Sequence, residues 1–285
     1  MARRQAMATM PVVAGVDGSE ESLRAVEWAA CEARRHGAPL RLVSAAAMPP
    51  RMHAHGGMPQ TVADELYGES VRALSEAVTR AEEVTSRLLI DTSPLAGAPA
   101  LAVTVSGSGA LMLVVGARGA GGFAAMLLGS VSRYAAMHAT CPLVVVREET
   151  SAVHGEIVVG IGDPLDTGAT LAFAFDEANL RGATLVAVHS WNRFTSAGWR
   201  PADAEHVAAE AGKSLTESLA PWRDKYPDVP VRCDVVHDHP GHVLASYTGR
   251  ADLVVIGRHG SAVGGIQHAL LSHAHGPVAI VPRQS

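Results

Sequence analysis

The chain has few cysteines and little net charge, and each shortage argues against particular classes of protein. Its 285 residues include only three cysteines, Cys31, Cys141 and Cys233, which lie far apart and form no Cys-x-x-Cys pair. This pattern gives no support to a disulfide framework or a zinc site, and it predicts a reducing, cytoplasmic compartment. The net charge of −5 argues against nucleic acid as a partner, because a DNA-binding face needs a dense basic patch.

Long, unbroken hydrophobic runs are also missing. The first ten residues carry two arginines but no apolar segment, so we expect no secretory signal peptide. Residues 92–117 contain no charged side chain, but prolines and glycines interrupt them. A membrane-spanning helix would need about 20 consecutive, mainly apolar residues. We therefore predict a protein that does not associate with membranes.

Glycine, in contrast, is plentiful, and it marks a motif that occurs twice. In the first copy a short apolar run ends in GARG at residues 116–119, and GSVS follows at 129–132 after nine intervening residues. In the second copy the run ends in GRHG at 257–260, which lies 141 residues later. Two further glycine pairs, at 15 and 37 and at 160 and 182, share a separation of 22 residues. We infer that the chain is a duplication.

Both halves predict an α/β fold: two tandem doubly wound domains, each with a five-stranded parallel sheet. We place the domains at residues 1–150 and 151–285. The continuous apolar run at 11–16 is typical of a parallel strand that helices cover on both faces. Ser19 is suited to cap the helix that follows this strand, and Gly37 is suited to end it.

The first glycine motif has the composition of a phosphate site. Glycine lets the backbone approach an anion closely, and a helix N-terminus adds partial positive charge. We expect Gly116 and Gly119 to leave room for phosphates. We expect the hydroxyls of Ser130 and Ser132, with the amides of Ser130 and Val131, to bind them. An ordinary N-cap is the alternative role for Ser130.

Two charged residues accompany this motif. Asp17 follows the first strand, and ligands of doubly wound sheets bind at the carboxyl ends of the strands. A simple turn residue is the alternative for Asp17. Arg118 is a candidate charge-assisted donor to a phosphate oxygen, and a solvated loop arginine is the alternative.

Catalytic and metal-binding signals are weak. No serine lies in a nucleophile elbow, and no general base stands out near the glycine motif. Histidines 237, 239 and 242 offer metal ligands but lack the paired spacing of zinc sites. We therefore predict no catalytic residue and no metal ligand, and a protein that is not an enzyme, with weak ATPase activity left open.

Taken together, the motifs resemble the universal stress protein family in its tandem-domain form. The family's signature is Gly-x-x-Gly, nine residues, then Gly-Ser or Gly-Thr, and Gly116, Gly119, Gly129 and Ser130 meet it. The resemblance covers nearly the whole chain after the first ten residues. It implies a Rossmann-like fold and a stress-response regulator that binds ATP, accompanied by Mg²⁺.

The resemblance also carries expectations about contacts and partners. It implies that Asp17 contacts the nucleotide and that the backbone at Ala45 lines the adenine. Nucleotide occupancy would control conformation or the binding of an unidentified protein partner, and a homodimer is possible. Two other functions stay open: a slow ATPase or nucleotide-transfer enzyme, and a structural family member without nucleotide.

The second half departs from the signature in two places. Gly162 stands where Asp17 stands in the first half, and Asp163 follows it. The segment that follows the second glycine of the motif, which we call the glycine loop, is six residues shorter than in the first half. Gly264 and Gly265 therefore fall where Gly129 and Ser130 would. We therefore expect a degenerate second domain that binds nucleotide poorly or not at all.

Overall fold

The computed structural model describes residues 10–45, 60–120, 128–147, 153–162, 167–191, 201–258 and 265–283. The chain divides into two units, Met1–Glu148 and Glu149–Ser285. Each unit contains five strands and four helices within the described residues.

The first unit alternates strands with helices from its beginning to its end. Its elements are β1 (Val12–Val16), α1 (Glu20–His36), β2 (Leu40–Ala45), α2 (Gln60–Val84), β3 (Ile90–Leu95), α3 (Pro99–Ser106), β4 (Met112–Gly116), α4 (Ser130–His138) and β5 (Leu143–Val146). The strands lie in the order β3-β2-β1-β4-β5, and all of the neighbouring pairs are parallel.

The strand order creates a crevice between β1 and β4. From β1 the chain adds β2 and then β3 in one direction along the sheet. It then returns past β1 and adds β4 and β5 in the opposite direction. Val114 pairs with Ala14 in the central register, so both strands end at the same edge of the sheet. Ligands of open α/β sheets bind at such a switch point.

The core of the first unit is built from apolar strands that helices cover. Every residue of β4 is buried, and so are four of the five residues of β1. Continuous runs of valine and leucine suit strands that are covered on both faces. Because the strands are fixed in this way, the described residues that directly follow β1 and β4 begin from defined positions.

Helix α1 begins and ends as its sequence predicts. The Ser19 hydroxyl accepts a hydrogen bond from the backbone N–H of Ser22 at 3.2 Å, which satisfies one of the free amides of the first turn. Gly37 ends the helix in the left-handed conformation, with φ of 64°, where glycine has no Cβ penalty. Both predictions are confirmed.

The second unit repeats the architecture of the first. Its elements are β6 (Glu156–Gly160), α5 (Gly168–Arg181), β7 (Thr184–Trp191), α6 (Pro201–Lys225), β8 (Val231–His237), α7 (Pro240–Tyr247), β9 (Leu253–Gly257), α8 (Gly265–His273) and β10 (Val278–Val281). The strands lie in the order β8-β7-β6-β9-β10 and are parallel. The prediction of two tandem five-stranded α/β domains is confirmed.

The charge-free stretch at residues 92–117 forms the end of β3, the short helix α3 and the strand β4. Among the helices of the described residues, none has the length and apolarity that crossing a membrane requires.

Candidate functional site

A cavity of about 440 Å³ lies in the first unit, where β1, β2 and β4 end. All nine residues that the sequence predicted for the site line it: Asp17, Ala45, Gly116, Arg118, Gly119, Gly129, Ser130, Val131 and Ser132. These residues come from three strand ends and the first turn of α4. The fold therefore brings together positions that are more than 100 residues apart in sequence.

The carboxylate of Asp17 joins the end of β1 to the loop after β4. Its Oδ1 accepts hydrogen bonds from the backbone N–H of Ser19 at 3.0 Å and from the Ser19 hydroxyl at 2.6 Å. Its Oδ2 accepts a hydrogen bond from the backbone N–H of Ala120 at 2.9 Å. The first two bonds form the turn that was the alternative reading of Asp17, and the third holds the glycine loop.

The carboxylate of Asp17 leaves no space for a side chain at position 119. A Cβ at position 119 would lie 2.3 Å from Asp17 Oδ2, which is far inside van der Waals contact. The glycine therefore leaves room for the carboxylate that binds Ala120, and the room for a phosphate that the sequence suggested stays a prediction.

Gly116 also has a steric reason within the protein. A Cβ there would lie 2.8 Å from the carbonyl oxygen of Glu21 and 3.1 Å from the backbone nitrogen of Ser22. Both are backbone atoms of α1, so they have little freedom to move aside. The glycine permits the close approach of α1 to the end of β4, a different reason from the room for phosphates that the sequence suggested.

Arg118 forms an ion pair with the first turn of α1. Its Nη2 donates a hydrogen bond to Glu21 Oε1 at 2.9 Å, and its side chain remains 42% exposed. It is therefore neither a purely solvated arginine nor a side chain held ready for phosphate alone. A guanidinium has five N–H donors, so the pair with Glu21 leaves donors for a ligand.

The N-terminus of α4 lines the cavity without a side-chain cap. Gly129 is the N-cap residue, with φ of −70° and ψ of 163°, and its N–H donates to the carbonyl of Ala117 at 2.7 Å. The first-turn amides of Ser130, Val131 and Ser132 have no acceptor within their own helix. They present hydrogen-bond donors and the positive end of the helix dipole.

The two serines of this turn differ in their contacts. Ser130 is the first residue of the helix rather than its cap, so the N-cap alternative is wrong. Its exposed hydroxyl has no hydrogen-bond partner among the described residues. Ser132 is buried, and its hydroxyl donates to the carbonyl oxygen of Gly116 at 2.6 Å. The structure thus places Ser132 as a link between α4 and β4, in contrast to the predicted phosphate contact.

Several lining residues were missed by the sequence analysis. Four of them are polar: Ser22, Ser44, Glu69 and Ser70. The others are apolar or small residues, most of them from α2, α3 and the strands: Gly15, Val16, Leu66, Ala73, Pro99, Val103, Val115 and Ala120. The positions 66, 70 and 73 follow the spacing of one helical face. That spacing predicts a buried face, but it does not say that the face borders a cavity.

The second unit carries different side chains at the corresponding positions. A Cβ at Gly162 would meet no atom of the described residues within 4 Å, so none of these residues requires glycine where the first unit has Asp17. Gln267 is the third residue of α8, as Ser132 is of α4, and its Nε2 donates to the carbonyl of Gly257 at 3.4 Å. The His189 ring nitrogen Nδ1 lies 2.9 Å from the carbonyl oxygen of Ile161.

Part of the predicted second motif lies outside the described residues. Asp163, His259, Gly260 and Gly264 belong to this part, and Gly265 begins α8. In the described part, larger polar side chains, His189 and Gln267, stand where the first unit has Ser44 and Ser132.

Comparison with known proteins identifies the family. The family model described as "Universal stress protein family" matches residues 9–147 and 155–282. The chain belongs to the universal stress protein family. Two tandem universal stress protein domains therefore account for nearly all of the chain.

Relatives of similar length are found among the mycobacteria. The universal stress protein Rv2005c of Mycobacterium tuberculosis is 36% identical over 294 residues, which cover 96% of this chain and 97% of the relative. The universal stress protein Rv2623 of the same species is 31% identical and covers 97% of both chains. A crystal structure of a universal stress protein from Archaeoglobus fulgidus has a TM-score of 0.71 at 17% identity, covering 97% of both chains, and shares the fold.

Proposed function

We propose that this universal stress protein binds ATP in the cavity of its first unit. We further propose that occupancy regulates conformation or partner binding in the cytoplasm. The observation that carries the proposal is the uncapped N-terminus of α4, which opens on a cavity formed at the strand-order switch point. Anions bind at such helix ends because free amides and the dipole act together.

The lining divides the cavity into two chemical regions. The amides of Ser130 and Val131 and the free hydroxyl of Ser130 supply donors for phosphate oxygens. Pro99, Val103 and Val115 supply an apolar surface of the kind that a purine ring requires. In this arrangement the phosphates lie at α4, and the base lies toward α3 and Ala45.

Three of the predicted residues act mainly by positioning in this proposal. Asp17 holds the loop through Ala120, Gly119 makes space for that bond, and Ser132 fixes α4 to the end of β4. Their combined effect is to hold the phosphate-binding amides in place before the ligand arrives, which reduces the ordering cost of binding.

Mg²⁺ would enter with the nucleotide. The charged side chains that line the cavity are Asp17, Glu69 and Arg118, and both Asp17 oxygens already accept hydrogen bonds. Mg²⁺ is commonly held through substrate phosphates and water with few protein ligands. We therefore propose that the phosphates of ATP supply most of its ligands.

Regulation would act through the glycine loop. Arg118 contacts Glu21 in the first turn of α1, and Asp17 links the same loop to the start of that helix. A phosphate that recruits Arg118 would weaken its pair with Glu21 and change the surface at the start of α1. A protein partner or a second copy of the chain that recognises this surface would then respond to ATP.

We propose binding without efficient hydrolysis. A water-activating base would have to accept a proton beside the phosphates. The Asp17 carboxylate already accepts three hydrogen bonds, and the other lining carboxylate, Glu69, belongs to α2 rather than to α4, where we place the phosphates. We expect ATP turnover at the rate of a no-protein blank, which a phosphate-release assay measures. Turnover above this rate that falls in Ser130→Ala would favour the ATPase alternative instead.

We also propose that residues 1–150 hold the working site and that residues 151–285 form a degenerate domain. The absence of a carboxylate at Gly162 and the presence of Gln267 and His189 support this assignment. In the second unit, these side chains bond to backbone carbonyls at the strand ends.

Calorimetric titration with ATP, AMP and adenosine tests the proposal. In the wild type we expect affinity to fall as phosphates are removed. Ser130→Pro removes one amide N–H and the hydroxyl, yet proline suits the first helical position, and the ψ of 163° at Gly129 suits a residue before proline. The variant should bind all three ligands with similar, weak affinity. An unchanged preference for ATP in Ser130→Pro would contradict the proposal.

A further inference from the structure

Two adjacent polar residues of α2, Glu69 and Ser70, line the cavity and belong to no motif in the sequence. Neither side chain has a hydrogen-bond or ion-pair partner within the part of the chain that the structure describes. Ser70 is nevertheless only 5% exposed. Because Ser70 lines the cavity, its hydroxyl is a polar group that a molecule bound there can satisfy.

The hydroxyl of Ser70 does not take the usual local partner. Serine and threonine inside helices often donate to the carbonyl four residues earlier. In the same helix Thr79 does so, to the carbonyl of Ser75 at 3.2 Å. Because Ser70 makes no such bond, its hydroxyl remains available to a molecule in the cavity.

Glu69 is the lining carboxylate whose oxygens remain available. Those of Asp17 accept bonds from Ser19 and Ala120. An ionised carboxylate only accepts hydrogen bonds, and it repels phosphate. Its ligand group must therefore offer O–H or N–H donors and must lie away from the phosphates.

The position of α2 restricts which part of a nucleotide Glu69 and Ser70 can contact. A Cβ placed on Gly18 would lie 3.7 Å from the Cβ of Ala73, one helical turn beyond Glu69. This face of α2 therefore borders the end of β1. The amides for phosphate lie on α4, and α3 and β4 contribute the apolar residues Pro99, Val103 and Val115, against which we place the base. The sugar connects base and phosphates, and its two neighbouring hydroxyls are O–H donors.

We propose that Glu69 and Ser70 bind the ribose hydroxyls of the nucleotide and make the cavity selective for ribonucleotides over 2′-deoxyribonucleotides. The inference rests on the proposed binding of ATP. Glu69 accepts a hydrogen bond from the 2′-hydroxyl, and the hydroxyl of Ser70 bonds to the neighbouring 3′-hydroxyl. A site built to bond a hydroxyl rejects the analogue that lacks it, because its polar groups are then left unpaired.

Titration of the full chain with ATP and with 2′-deoxyATP tests this inference. We expect the wild type to bind ATP at least about tenfold more tightly, since a hydrogen bond to a charged group is among the stronger ones. Glu69→Ala should bring the two affinities within about twofold of each other, mainly by weakening ATP binding. Glu69→Gln, which keeps an acceptor without the charge, should fall between them.

Matched controls lie on the same helix. Glu65→Ala removes an exposed carboxylate one turn away that does not line the cavity, and it should keep the wild-type ratio. Ser70→Ala should reduce the ratio in part, whereas Ser75→Ala, at an exposed position, should not. Thermal melts of each variant show whether it is folded.

The outcomes separate this inference from the one it rests on. Equal binding of the two nucleotides by the wild type would overturn the ribose assignment while leaving ATP binding intact. A folded Glu69→Ala variant that loses affinity for both nucleotides equally would also overturn it. If the wild type bound neither nucleotide, the proposed function itself would fail.

Discussion

The Asp17 carboxylate and the backbone N–H of Ala120 are joined by a hydrogen bond of 2.9 Å across 103 residues of sequence. This bond connects the end of β1 to the glycine loop after β4. It also explains Gly119, because a Cβ there would lie 2.3 Å from the same oxygen. The glycine loop is thus shaped by a protein carboxylate as well as by any ligand.

The contact between Asp17 and Gly119 predicts a non-additive pair of substitutions. Gly119→Ala should weaken ATP binding about tenfold by displacing the carboxylate, and Asp17→Ala should do so by releasing the loop. The double variant should bind about as well as Asp17→Ala alone, since residues that share one contact couple by about 0.5–3 kcal/mol. Calorimetric ATP titrations of the wild type, the two single variants and the double variant give the coupling free energy between positions 17 and 119.

Gly68→Ala is the control for that cycle. Among the described residues, a Cβ at Gly68 would approach only Arg72 Nη1, at 3.6 Å, so the effect of Gly68→Ala should add to that of Asp17→Ala. Additive effects of Asp17→Ala and Gly119→Ala would count against the steric link.

The two serines of α4 should separate binding from stability. Ser130→Ala removes a hydroxyl that has no partner in the described part of the chain, so we expect weaker ATP binding with little change in melting temperature. Ser132→Ala leaves the carbonyl of Gly116 without its donor, and an unsatisfied buried group costs about 1–3 kcal/mol. Thermal melts and ATP titrations of both variants check this division. If Ser132→Ala instead weakened ATP binding without loss of stability, Ser132 would have the phosphate contact that the sequence suggested.

Gly116→Ala should destabilise the first unit whether or not ATP is present. Its Cβ would lie 2.8 Å from the backbone oxygen of Glu21, and overpacking of this kind costs about 1–3 kcal/mol. Urea unfolding measures the cost. The matched control is again Gly68→Ala, which should be stabilising by up to about 1 kcal/mol because alanine favours a helix interior. Equal stabilities of Gly116→Ala and the wild type would contradict the steric account.

The thiol of Cys141 should be the slowest of the three cysteines to react. Burial raises its pKa to about 11, and the thiolate is the reactive form. Iodoacetamide at pH 8, followed by mass spectrometry, should label the partly exposed Cys31 and Cys233 first. Faster labelling of Cys141 in the folded protein would contradict its burial.

The same raised pKa predicts how stability depends on pH. As the pH rises from about 9 to about 11, the unfolded chain loses this proton while the folded chain keeps it. The contribution of Cys141 therefore lowers the free energy of unfolding across this range. Cys141→Ala should make the loss of stability with pH shallower in urea titrations.

The fold was accessible from the sequence because its signals are local and repeated. Apolar runs such as 11–16 predict covered parallel strands, and Ser19 and Gly37 predict the limits of α1, all of which the structure confirms. The glycine motif likewise located seven of the residues that line the cavity, from Gly116 to Ser132. Each of these signals depends on neighbours within a few positions of the chain.

The roles of individual residues were harder to predict, since they depend on distant partners. Nothing near Gly116 in sequence indicates that the backbone of Glu21 lies against it, and nothing near Ser132 indicates that its hydroxyl turns back to the end of β4. Glu69 and Ser70 were missed because α2 carries no motif. Their position beside the cavity follows only from how α2 packs over the end of β1.

The most direct measurement counts ATP on the intact chain. Native mass spectrometry of the full protein, titrated with ATP, resolves each bound nucleotide, and Ser130→Pro serves as the variant without a working first site. The account predicts one ATP per chain in the wild type and none in Ser130→Pro at the same concentration. Two ATP molecules per wild-type chain, or undiminished binding in Ser130→Pro, would contradict it.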